Sequence, residues 1–390
     1  MKIAIITSGD PNNMKGVMNY VQEKLKLIQR NNELDVDFYM LRYRDTLLFS
    51  LIRREKRPKK INSFSIGEVN YNSIWIRHSF FDYILTVKFK IKALMDKKYL
   101  KREIDRFSNY SLIVSHGPDS HYISNKLKDK YSIPYITTWH GSDINIMPFS
   151  NNKTFFLIKK MIEEASMNYF VSKKLLNKSN EITEHGIKDY IYTGPSSDFY
   201  TYNNGKIEEL KDKYNCKYKR VIGFVGNIIP IKNVLVLPKI FEKVRAVYTS
   251  NELIFWIIGD GSLEGNLKNE LDKIGIKYRM FGKVEPKEIP NLMNCLDVLV
   301  LPSLNEGMPL VTLEALACGI NVVGSNVGGI PESIGKENCF DLNDNFIDNI
   351  SNRIIEILEN NEKPKPLSPE FSWEYAIEKE VNTYKRILNL

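Results

Sequence analysis

Short apolar runs, rich in β-branched and aromatic residues, alternate along this chain with longer stretches whose apolar positions recur at helical spacing. The short runs predict strands at 2–7, 36–41, 73–76, 112–115, 135–138, 168–171 and 189–192. After a polar, lysine-rich stretch at 202–220 they resume at 221–225, 253–258, 278–281, 298–301 and 321–323. Helical spacing lies between most of them, for example at 17–29, 234–248 and 263–274. Strands that alternate with helices predict parallel sheets covered on both faces. Two such series, separated near 200–218, predict an α/β fold of two doubly wound, Rossmann-like domains facing across a cleft. The expected boundaries are 1–200 and 201–370, with a last helix at 371–390 after a turn containing Pro364, Pro366 and Pro369. In sheets of this kind ligands bind beyond the carboxyl ends of the strands.

Composition changes this picture little. The chain has 390 residues, 43% hydrophobic and 26% charged, which is ordinary for a globular protein. Four cysteines (216, 295, 318, 339) show no pairing pattern and no CxxC, which favours a reducing cytoplasm. The opening apolar run is too short for a signal peptide, and no run is long enough to span a bilayer. Charge adds more. Residues 1–200 carry 32 Lys and Arg against 21 Asp and Glu, and the remainder carries 23 against 26. The excess gathers in 53–60 (Arg53, Arg54, Arg57, Lys59, Lys60) and in a lysine- and aromatic-rich stretch at 80–98. Such a mixture suits an anionic membrane surface as well as a plain solvated face. No nucleic-acid motif accompanies it.

The candidate chemistry follows the predicted strand 298–301. Asn305-Glu306-Gly307-Met308-Pro309-Leu310 forms a loop, and a mostly apolar helix carrying Glu314 runs on to Gly319. Pro309 stands where a first helical residue belongs and Gly319 where a C-terminal cap belongs. A carboxylate buried in that helix needs hydrogen-bond donors. The hydroxyls of a sugar and a ribose would supply them to Glu306 and Glu314, with a diphosphate held between by the helix amides. Gly226, ending the strand 221–225, lets the backbone approach a phosphate, and Lys232 could place an ammonium there. Gly259-Asp260-Gly261 is a weak relative of the dinucleotide fingerprint and equally a tight turn. Gly282-Lys283-Val284 could meet a nucleobase through its main chain. In the first half, Trp139-His140-Gly141-Ser142-Asp143 follows a strand, and a neutral His140 there could bond a sugar hydroxyl or titrate near neutrality. His116 could line the acceptor side, and Gly16 with its following helix could face phosphate. Asp35-Val36-Asp37 is read against metal binding, as the solvated face of a half-buried strand. No His/Cys cluster has metal-ligand spacing, so no metal and no resident cofactor are expected.

These residues resemble the GT-B glycosyltransferases of family 4, the group 1 family. The resemblance covers nearly the whole chain and is strongest over 221–332. It rests on the Glu306–Glu314 pair, Gly226 with Lys232, Gly259-Asp260-Gly261, Phe281-Gly282-Lys283-Val284, Gly328-Gly329-Ile330-Pro331-Glu332 and His140-Gly141-Ser142-Asp143. It implies a last helix crossing back to the N-terminal domain. It implies that Glu306 touches the transferred sugar and Glu314 the ribose. Lys232 and the amides of Gly307, Met308 and Leu310, with Asn305 and Pro309 in the same loop, would hold the diphosphate. Val284 would meet the base, and His140 the sugar beside the acceptor. The family retains anomeric configuration and usually needs no metal, the leaving phosphate being thought to help deprotonate the acceptor. Three departures stand out: Asn227 where the family usually has Arg, Lys15-Gly16 in place of paired glycines, and Thr193-Gly194-Pro195-Ser196-Ser197-Asp198 in place of Asn-Gly-Val-Asp.

The resulting expectation is a retaining, metal-independent glycosyltransferase that uses a UDP-sugar, or a GDP-sugar as second choice. It would act on a glycan or lipid-linked acceptor in surface polysaccharide biosynthesis, in the cytoplasm or peripherally on the inner membrane face. The alternatives are a nucleotide-sugar epimerase of the same fold and a non-catalytic nucleotide-sugar-binding protein.

Overall fold

The computed structural model describes residues 1–8, 17–30, 34–54, 59–80, 100–249 and 252–390. Gly16, Arg57 and the basic stretch from residue 81 to 98 lie outside the described residues. The chain divides into two compact units. The first comprises Met1–Phe170, Leu176–Ile191 and Ile377–Leu390; the second comprises Val171–Leu175 and Tyr192–Ala376.

The first unit holds β1 (Lys2–Ser8), β2 (Asp35–Asp45), β3 (Ser63–Ile66), β4 (Val69–His78), β5 (Leu112–His116), β6 (Tyr135–Trp139), β7 (Met167–Phe170) and β8 (Lys188–Tyr190). They pair in the order β3-β4-β2-β1-β5-β6-β7-β8. Every residue of β5, β6 and β7 is buried. That is what continuous apolar runs mean in a parallel sheet covered on both faces. The helix Trp373–Leu388 enters this unit from Ile377 onward. There the Tyr169 hydroxyl meets Thr383 Oγ1 at 2.6 Å, and Lys379 Nζ donates to the Tyr190 carbonyl at 2.7 Å.

The second unit holds β9 (Arg220–Val225), β10 (Leu253–Ile258), β11 (Tyr278–Gly282), β12 (Val298–Leu301), β13 (Asn321–Ser325) and β14 (Cys339–Phe340). All pair in parallel, in the order β11-β10-β9-β12-β13-β14. One buried core runs through the unit, with Trp256, Phe224 and Phe241 among its fully buried side chains. Strand order reverses beside β1 in the first sheet and beside β9 in the second. These switch points open a crevice at the carboxyl edge.

Three expectations change. The strand opening at Asp35 is not half-solvated, because Phe38, Tyr39, Met40 and Leu41 are all buried. Asp35 is exposed, and Asp37 pairs with Lys2 at 2.7 Å. An antiparallel edge strand, β3, hairpins onto β4 through Gly67-Glu68, with Gly67 at φ 55°. The helix expected over 234–248 is a 3-10 turn, Val234–Val236, followed by the helix Leu237–Arg245. Pro238 explains this, since its missing N–H is tolerated only in a first turn.

Candidate functional site

The carboxyl edge of the second sheet is built from loops held against one another by backbone bonds. After β9, Gly226 N–H donates to the Ile258 carbonyl at 2.9 Å and Ile228 N–H to the Asp260 carbonyl at 2.8 Å. Gly259 N–H donates to the Gly282 carbonyl at 3.0 Å, which ties in the end of β11. Gly259 has φ 134°, and a Cβ there would lie 1.9 Å from the Gly226 carbonyl oxygen. Only glycine permits that approach.

Beyond Gly226 the chain makes the single turn Pro230–Lys232, which brings Lys232 to the switch point beside β12. Leu304 N–H donates to the Ile231 carbonyl at 2.8 Å, so the loops after β9 and β12 are joined there. In consequence Lys232 Nζ lies 2.5 Å from Glu306 Oε1, and Ser303 Oγ donates to the same oxygen at 2.7 Å. The two charged side chains keep 18% and 12% of their surface exposed, so a ligand can reach both. Gly328, at φ 52°, supports this loop from behind: a Cβ on it would lie 2.1 Å from the Glu306 carbonyl oxygen. Gly329 N–H donates to the Gly307 carbonyl at 2.7 Å, and a Cβ on Gly329 would strike Met308.

The helix Leu310–Ala317 follows, with Pro309 as its N-cap at φ −77° and ψ 115°. Pro309 therefore stands one position earlier than expected. A proline caps without a side-chain acceptor, and among the described residues no side chain bonds the first amides of the helix. Those amides form an anion-binding end one loop away from Lys232 and Glu306. Gly319, at φ 76°, closes the helix one residue past its C-cap. Inside the helix, burial raises the Glu314 carboxyl to about 7. The residue is half-buried, and no group among the described residues bonds its carboxylate, which is left open to a donor from a ligand.

Asn227 and Asn305 are half-buried in the loops after β9 and β12. Two residues past β11, Val284 packs its side chain on the core. Its main-chain groups have no partner among the described residues, which leaves an edge suited to a flat, hydrogen-bonding ring. Thus Gly226, Asn227, Lys232, Gly259, Val284, 305–310 and Glu314 all belong to the strand ends and following loops of one sheet, or to the helix that follows. Among the described residues no His/Cys/Asp/Glu cluster could hold a metal. Sequence reasoning missed Ser303; its position three residues before Glu306, in a strand-end loop, was the only available signal.

His140 belongs to the first unit, one residue past β6. Its backbone N–H and that of Gly141 donate to the Asp143 carboxylate, the latter at 2.7 Å. The His140 ring meets the Tyr20 ring edge-on at 4.9 Å. Burial, and then the nearby Lys24 charge, push its pKa down to about 3. The expectation that it titrates near neutrality is corrected: it is a neutral imidazole throughout the physiological range.

Residues 206–370 match the family model described as glycosyl transferases group 1. That segment lies within the second unit, so the second unit resembles the group 1 family. Similar proteins include the putative teichuronic acid biosynthesis glycosyltransferase TuaC of Bacillus subtilis, 26% identical over 211 residues that span 54% of this chain and 51% of TuaC. Another is N-acetyl-alpha-D-glucosaminyl L-malate synthase of Bacillus anthracis, 28% identical over 60% of this chain and 61% of that enzyme. The aligned region thus spans about half of TuaC and three fifths of the synthase. The crystal structure of Anabaena HepE in complex with UDP superposes with a TM-score of 0.74 at 15% identity, over 99% of this chain and 100% of that one. That likeness establishes the GT-B fold of two parallel-sheet α/β domains.

Proposed function

We propose that this protein is a group 1 glycosyltransferase, retaining and metal-independent, that takes its sugar from a UDP-sugar and builds a surface polysaccharide. One observation carries the reading: Lys232 and Glu306 meet at the switch point beside the uncapped helix start and the partnerless Glu314 carboxylate. A nucleotide sugar offers a partner to each. The diphosphate takes Lys232 and the helix amides, a sugar hydroxyl takes Glu306, and a ribose hydroxyl takes Glu314. The Lys232–Glu306 pair exchanges its internal contact for two contacts to ligand, so neither charge is stranded.

In the transfer the bond from the anomeric carbon to the phosphate oxygen breaks, and a bond to the acceptor oxygen forms on the same face. The acceptor proton passes to the departing phosphate. Lys232 and the helix amides stabilise the charge that develops on that phosphate. Asn227 adds no charge where the family usually has arginine, so Lys232 carries that task with the backbone. UDP is favoured because HepE, of the same fold, holds UDP in its crystal structure. The polysaccharide role is favoured by the name of TuaC. The malate acceptor named for the other relative makes a small acid the competing acceptor class.

The test is a panel of UDP- and GDP-sugars scored by thermal shift and by slow hydrolysis, with EDTA present. One donor should raise Tm and be hydrolysed with its anomeric configuration retained, and Glu306→Gln and Lys232→Ala should abolish hydrolysis. An inverted product or an EDTA-sensitive reaction would overturn the mechanism. Binding without turnover in the presence of glycan, lipid-linked and malate acceptors would overturn the enzyme reading.

A membrane-borne acceptor is favoured by the helix Leu47–Arg53. Leu47, Leu48, Leu51 and Ile52 expose 63%, 70%, 67% and 55% of their surface, while Phe49 and Ser50 are buried beneath. Arg53 and Arg54 close the helix, and Lys59 and Lys60 follow as exposed cations. An apolar face rimmed by cations fits an anionic bilayer. Phosphatidylglycerol vesicles should pull down the protein, and a Leu48→Asp, Leu51→Asp variant should stay in the supernatant. Equal sedimentation of the two would remove the membrane from the proposal.

A further inference from the structure

A chain of polar contacts is sealed beneath His140. It starts at Lys24 on the helix Val17–Gln29, where Nζ lies 2.5 Å from Glu380 Oε2 on the C-terminal helix. These side chains keep only 1% and 2% of their surface exposed. The Tyr384 hydroxyl donates to the same Glu380 oxygen at 2.5 Å. Lys24 Nζ also lies 3.0 Å from His116 Nε2, and His116 Nδ1 lies 3.3 Å from His140 Nε2.

The direction of these bonds follows from donor inventories. An ammonium only donates, so a charged Lys24 requires a lone pair on His116 Nε2. Neutral His116 then carries its proton on Nδ1, which faces His140 Nε2 and requires a lone pair there too. Neutral His140 must therefore carry its proton on Nδ1. That atom has no protein partner among the described residues, and the residue is only half-buried. Glu380 holds Lys24 in its charged state, since without that carboxylate a lysine so buried would shed its proton.

We propose that Lys24, anchored by Glu380, is a positioning residue that sets the tautomers of His116 and His140, so that His140 presents an Nδ1–H donor to ligand and no basic nitrogen. On the transferase reading above, His140 can then donate to a ligand oxygen and cannot act as a base. The tautomer claim itself needs no substrate, so it succeeds or fails separately from that reading.

The test is long-range 1H–15N correlation NMR on the full chain labelled with 15N-histidine, with signals assigned through His116→Asn and His140→Asn. In the wild type, both His116 and His140 should show protonated Nδ1 and bare Nε2. In a Lys24→Met, Glu380→Gln variant, which removes both buried charges together, the His140 signal should shift to a mixture of tautomers or to Nε2–H. His116→Asn cuts the chain while leaving the ion pair intact, and it should release His140 in the same way should the double variant fail to fold. A wild-type His140 protonated on Nε2 would overturn the proposal. So would a His140 tautomer unchanged in the folded variant.

Discussion

The two switch points carry the same pair of charges, a lysine and a glutamate, in opposite settings. At the second sheet, Lys232 and Glu306 meet on loops and keep a sixth and an eighth of their surface open. At the first, Lys24 and Glu380 meet on helices and are almost wholly closed. A pair that keeps an opening to water is partly screened and can trade its contact for a ligand. A sealed pair contributes no readiness to bind. It holds neighbours in place, and either member alone becomes a buried, uncompensated charge. Location in the loops or in the helices thus decides whether one kind of ion pair serves recognition or architecture.

The contrast is most directly broken by removing one member of each pair. Lys24→Met should destabilise the protein by about 3–5 kcal/mol in denaturant unfolding, because Glu380 is left a buried charge with only the Tyr384 hydroxyl for a partner. The Glu380→Gln partner change should restore much of that loss. Single-variant stability equal to wild type would show that the pair is not sealed. Glu306→Gln should behave oppositely, with stability changed by about 1 kcal/mol or less and turnover lowered roughly 10²- to 10³-fold. Gly259→Ala sharpens the account of the loops: its Cβ would meet the Gly226 carbonyl, so a loss on the order of 2–3 kcal/mol should accompany loss of donor-induced thermal shift.

The smallest effect is a pH dependence. The Glu314 carboxyl is raised to about 7 from an ordinary 4.5. Its contribution to stability is full below pH 4.5 and is lost as pH rises through 7. If ribose hydroxyls donate to the ionised form, affinity for an intact nucleotide sugar should rise roughly tenfold from pH 6 to pH 8. Isothermal calorimetry on wild type and Glu314→Gln checks this, and equal slopes for the two would remove Glu314 from the ribose site.

Five of the six strands of the second sheet were legible in the sequence because each is a short apolar run closed by glycine or a polar turn; β14, only Cys339–Phe340, was not. The Glu306–Glu314 segment was legible because its loop and helix are contiguous. β3 was not legible, since Ser63-Phe64-Ser65-Ile66 is too short and too polar to stand out, and pairing with β4 creates it. The buried face of Tyr39 was misread because alternation near Asp35 stops once helices cover both sides of the sheet.

By itself the sequence determined the two-domain α/β architecture and the group 1 segment, because hydrophobic period, glycine placement and loop–helix spacing are local properties of the chain. Tertiary structure alone decided that Lys232 pairs with Glu306 and Lys24 with Glu380. It also decided that His140 stays neutral and that Glu314 is strained toward protonation. Each of these depends on who is adjacent and how much water is excluded, and residues 24 and 380 become neighbours only when the chain's last helix returns to its first unit.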